Sequence, residues 1–141
     1  MEIDGFDIAD FCERAVTIGR DIAGVELDYS VGSLEGLETV LQSIRSVNRN
    51  GLLNDTVCWN ASVCLGTYLG EVMLRDQLGS KGFSWQPDSN GLPMLMDSEK
   101  KNAVSPISKI YKKLIPDNDS EGTVSGLYRA FLLLLANNRS T

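Results

Sequence analysis

The chain contains no histidine. That absence removes the commonest general base, the commonest zinc ligand and the side chain that ordinarily changes charge near neutral pH. Cysteine is scarce: Cys12, Cys58 and Cys64 make an odd count, and no two of them have the two-residue gap of a metal or redox motif. Cys58 and Cys64 lie six residues apart and point in different directions on one helix, which argues against a disulfide between them. Buried free thiols in a reducing cytoplasm are expected. Long apolar runs are also lacking. The longest, residues 130–136, is far short of the roughly 20 residues that a membrane span needs. The first residues, Met1-Glu2-Ile3-Asp4-Gly5, are acidic and have neither the basic start nor the apolar centre of a secretory signal. Both features predict a cytoplasmic protein without membrane contact. Positive charge is in deficit, with a net charge of −6, so nucleic acid is not an expected partner.

What remains is an ordinary globular composition. At 141 residues with 43% hydrophobic side chains, the chain is long enough for one domain, 1–141, with a core of its own. Ile8, Phe11, Ala15, Ile18 and Ile22 recur at helical steps, predicting a helix over about 7–23, with Asp7 or Asp4 as N-cap and Gly24 as its stop. Ser30 or Ser33 caps a second helix whose stripe is Leu34, Leu37, Leu41 and Ile44, widened by Val40 and Val47. Asp55 caps a third, which is apolar nearly all round and runs to about Leu78, where Gly79 ends it. Such a helix belongs in the middle of a domain.

From Lys81 the pattern changes. Phe83-Ser84-Trp85 alternates, residues 87–91 are dense in turn formers, and residues 92–96 are extended; together they predict a hairpin. Pro93 restricts its strand to an edge or to a strand start. Residues 102–104 are a candidate for a short third strand. Ser105-Pro106 starts a helix with Ile107, Ile110, Tyr111 and Leu114 inward and Lys109, Lys112 and Lys113 toward water. A last helix covers about 123–136, with Leu127, Phe131, Leu134 and Leu135 inward. The predicted class is α+β: three N-terminal helices, a small antiparallel sheet of two or three strands, and two C-terminal helices.

Ser62, Gly66 and Gly70 share one face of the third helix. Two glycines there give up roughly 1 kcal/mol each of helix stability, and close approach of another backbone compensates. Glu71 and Arg75 are one turn apart, in the orientation that supports a helix. Projected beside Trp85 and Tyr68, they would also frame a pocket for a carboxylate or phosphate. Residues 117–122 imitate half of a calcium loop, but position twelve is Tyr128, so the closing carboxylate is missing. Neither a nucleophile elbow nor a glycine-rich phosphate loop is present.

The residues Gly66, Tyr68, Gly70, Glu71 and Arg75, then Gly82 and Trp85, then Pro106, Ser108, Lys109, Tyr111 and Lys112 resemble a recurrent class of small bacterial α+β domains of unknown function. The resemblance spans about 55–114 and implies architecture only.

The expected function is a small acidic protein-interaction module without catalytic activity, cofactor or metal. Its charge favours a basic protein partner. An immunity- or antitoxin-type protein is a specific form of that expectation. A small-ligand domain with Glu71, Arg75, Trp85 and Tyr68 at its pocket is the alternative. The apolar helix faces leave room for a homodimer.

Overall fold

Asp7 is extended and its carboxylate accepts the Asp10 amide at 3.1 Å, which starts helix α1 (Ile8–Ile18). The computed structural model describes residues 5–48, 51, 53–115 and 122–139. After α1 the helix widens into one π turn, Gly19–Ala23, and ends at Gly24 in the left-handed conformation. Helix α2 (Ser33–Asn48) buries Leu34, Leu37, Val40, Leu41 and Ile44, as its periodicity predicts. Val47 and, on the first helix, Ile22 fall at the margins of their stripes and are exposed.

Helix α3 (Asp55–Met73) is the axis of the fold, with most of its second half buried. Its cap is Asn54, whose side chain accepts the Val57 amide at 2.8 Å, and not Asp55. Asp55 is the first helical residue, where a carboxylate suits the positive end of the helix and here accepts the Tyr111 hydroxyl. Gly79 does not stop this helix. The chain continues through a π turn, Leu74–Leu78, and a 3₁₀ turn, Gly79–Lys81, and breaks at Gly82, where φ reaches +88°.

The sheet has the order β1 (Ser84–Pro87), β2 (Pro93–Met96), β3 (Ala103–Val104), antiparallel throughout. Pro93 heads the middle strand, and this is tolerated because β3 pairs only with Leu95 and Met96, further along. The hairpin turn is closed by the Asp88 carboxylate, which accepts the amides of Asn90 and Leu92. Ser105 caps helix α4 (Pro106–Leu114), with Pro106 in its first turn, as expected. The loop and half calcium motif expected over 116–121 lie outside the described residues.

Two expectations for the C-terminal helices are corrected. Lys113 does not point to water: it is only 4% exposed, its ammonium 3.6 Å from Glu38 and 2.5 Å from the Gly122 carbonyl. Glu38 also accepts the Val124 amide at 2.9 Å, so one ion pair joins α2, α4 and the start of α5 (Val124–Arg139). In α5, Leu134 is exposed rather than inward, while Val124, Tyr128 and Leu135 are buried. Tyr128 donates to Asp76 at 2.7 Å, and this anchor sets the rotation of a helix whose four consecutive leucines fit more than one.

Helix α4 crosses α3 at the glycines. A Cβ on Gly66 would lie 2.5 Å from the Ile107 Cα, and one on Gly70 would strike the Trp85 ring. Gly66→Ala should therefore lower stability by about 1–3 kcal/mol in urea unfolding. Gly36→Ala, where the nearest atoms are 3.6 Å away, should raise it by roughly 0.5–1 kcal/mol. Lys113→Met, which leaves Glu38 buried without its cation, should cost about 3–5 kcal/mol in the same assay. Lys112→Ala, at an exposed position, should change stability by less than about 0.5 kcal/mol.

Candidate functional site

Glu71 and Arg75 lie on successive turns, the first on α3 and the second in the π turn that continues it. The Glu71 side chain is 18% exposed and accepts the Trp85 indole N–H at 3.1 Å. Arg75 approaches the other Glu71 oxygen at 3.8 Å and stacks over the Tyr29 ring at 4.0 Å from its centroid. Tyr29 has a positive φ, unusual for a bulky residue, and its amide is pinned by the Tyr68 hydroxyl at 2.9 Å. The Tyr68 hydroxyl also shares a 2.6 Å hydrogen bond with Ser33, and burial raises its pKa. Three of the residues singled out in the sequence, Glu71, Arg75 and Trp85, are thus in direct contact. Tyr68 joins them through Tyr29 but is fully buried in the core. Each polar group of the cluster already has a partner within the chain.

The surroundings of all three thiols disfavour the thiolate form. Burial pushes the Cys12 thiol up to about 11, with the Glu71 charge adding to the effect. Burial likewise raises Cys58 and Cys64, and all three are free. Among the described residues, no group of three or more Cys, Asp or Glu side chains is placed to hold a metal ion.

An apolar concavity lies elsewhere, between α1 and α3. It encloses about 660 Å³, with Ile18, Ile22, Leu53, Val57 and Ala61 among its lining residues and the carboxylates of Asp10 and Glu13 toward one end. Asp10 is bridged to Arg14 at 3.0 Å. The π turn after α1 carries Ile22 to the rim, where it stands half exposed. Val57 on the first turn of α3 is 45% exposed. Sequence reasoning placed Ile22 on a core stripe and missed the groove. The available signal was the apolarity of α3 on every side, since a two-layer arrangement leaves part of such a helix uncovered.

Two smaller cavities flank the core. One of about 570 Å³ is polar and lies beside Lys113, Glu38 and Arg45. Another of about 460 Å³ lies between Trp59, Phe6 and the hairpin turn at Asp88–Pro93. None of these three cavities is lined by Glu71, Arg75 or Trp85. Among the described residues, no helix is long and apolar enough to cross a membrane. Compared with protein-family models, curated proteins and solved structures, the chain matches none.

The Glu71–Trp85 contact generates a test. Glu71→Ala leaves the nearly buried indole N–H without an acceptor and should cost about 1–3 kcal/mol in thermal unfolding. Glu71→Gln retains an acceptor and should recover most of that loss. Arg75→Met, at a side chain 54% exposed, should cost less than about 1 kcal/mol.

Proposed function

We propose that this chain is a non-catalytic, cytoplasmic protein-interaction module whose docking surface is the groove between α1 and α3. One observation carries the reading: an open apolar groove between two helices keeps two large hydrophobic side chains, Ile22 and Val57, about half exposed on its walls. Ile18, Ile44, Leu53 and Ala61 continue the apolar lining between them. Isolated exposed apolar residues need no explanation, but their concentration around a concavity marks interaction sites in other proteins. Fully burying one such side chain yields roughly 1.5–3 kcal/mol, so a partner covering two of them when half exposed already gains a few kcal/mol.

The partner's charge follows from the surroundings. A net charge of −6 speeds encounter with a basic surface and repels an acidic one. The Glu71 cluster supports the same reading indirectly. Its polar groups are satisfied within the chain, and a ligand entering there would have to displace them. Three buried thiols of raised pKa suit a reducing compartment.

A photo-crosslinking residue at Val57 tests the reading in the cell of origin, with the same residue at exposed Leu133 as control. A discrete protein adduct from position 57, absent from position 133, suppressed by salt and lost in Ile22→Asp, is the expected result. Ile22 is exposed, so that variant should fold, and circular dichroism checks that it does. Identical adducts from both positions, or none from 57, would remove the groove from consideration.

A further inference from the structure

We propose that the occupant of this groove is a single amphipathic helix of a partner protein. Its apolar stripe lies on Ile18, Ile22 and Val57, and a Lys or Arg near one end faces Asp10 and Glu13. The inference rests on the docking reading above and adds the shape, charge and direction of what docks.

Shape follows from the walls. On α1 and its π turn the lining residues include positions 10, 13, 14, 17, 18 and 22, one stripe at helical steps. On α3 the stripe includes 57, 61 and 64. The two helices run antiparallel. Phe6, just before α1, packs on Trp85, whose ring lies against Gly70 near the C-terminal end of α3, and Asp10 and Arg14 act electrostatically on the Cys64 thiol in its middle. Two helices lying side by side leave between them a furrow that accepts the side-chain ridge of a third. The twelve residue steps from Asp10 to Ile22 span about 18 Å, or roughly three turns of an occupying helix.

The other recurrent peptide conformations lack what they need here. An added strand requires unpaired backbone N–H and C=O groups along a sheet edge, whereas both walls are helices bonded within themselves. A polyproline segment docks between aromatic rings, and the lining contains none: its apolar members are Ile, Leu, Val, Ala and Cys. A helix needs only apolar relief, which the groove supplies.

Direction follows from charge. At the α1 N-terminal end stand Asp10, Glu13 and Arg14, and the arginine is already bridged to Asp10 at 3.0 Å, which leaves that end net negative. At the other end Ile22, Leu53 and Val57 carry no charge. A helix with a cation at one end and apolar residues along the rest satisfies both ends in one orientation and neither when reversed.

A displayed library of random 20-residue peptides, selected on the full-length protein and counter-selected on Ile22→Asp, decides the matter. The expected winners carry apolar residues at i, i+3 or i+4, and i+7, with Lys or Arg about one turn from an end. They should gain helix signal on binding, weaken at least tenfold with Ile22→Asp, and weaken about threefold to tenfold at low salt with Glu13→Gln. Winners that are proline-rich or alternating, or that are indifferent to Glu13→Gln, would overturn the helix while leaving the groove a docking surface. Self-association in sedimentation, abolished by both Ile22→Asp and Leu133→Asp, would overturn it in favour of α5 of a second copy. If no enriched peptide is sensitive to Ile22→Asp, the docking reading fails as well.

Discussion

The crossing of α4 over α3 at Gly66 and Gly70 is the contact on which the rest of the molecule depends. With no side chain at either position, the Ile107 backbone and the Trp85 ring both come within van der Waals reach of the α3 backbone. Trp85 belongs to β1, so the same pair of glycines seats the sheet as well as the helix. Once Trp85 lies there, its indole N–H meets the Glu71 carboxylate one residue beyond Gly70. The polar cluster of Glu71, Arg75 and Tyr29 is therefore a consequence of the packing and not an independent site.

A second constraint holds the other half. The buried Lys113–Glu38 pair, with the Val124 amide and the Gly122 carbonyl, gathers α2, α4 and α5 at one point. Buried charges of this kind add little net stability compared with apolar packing, yet they admit few alternative arrangements, because separating them strands a charge out of water. Together the glycine crossing and this pair commit α4 from both ends. Helix α1 is held differently, by apolar contacts along one side of α3, and what that side leaves uncovered becomes the groove.

Much of the architecture was legible in the residues. The Ser105-Pro106 helix start, the Asp7 cap, the Gly24 stop and the turn chemistry at Asp88 depend on local backbone geometry, which a few neighbouring residues determine. The α2 stripe was equally clear because its other face is polar. The close approach at Gly66 and Gly70 was readable for a related reason: two glycines on one helical face forfeit stability unless something fills the space. Less legible were choices between near-equal neighbours. Asn54 and Asp55 both suit a cap, and only the entry angle of the chain selects the first. Leu134 and Leu135 are chemically identical, and the Tyr128–Asp76 bond decides which turns inward.

By itself, then, the amino-acid order determined the element types, most of their ends and the helix face along which backbones meet, since these depend on interactions a few residues apart. It also determined the acidic charge and the lack of histidine that narrow the chemistry. Tertiary structure alone decided that Lys113 is buried, that Glu71 answers Trp85, and that Ile22 and Val57 face each other across an open groove. Each of these outcomes depends on a partner 14 or more residues away. Burial of a side chain is settled by what packs against it, and no local pattern records that.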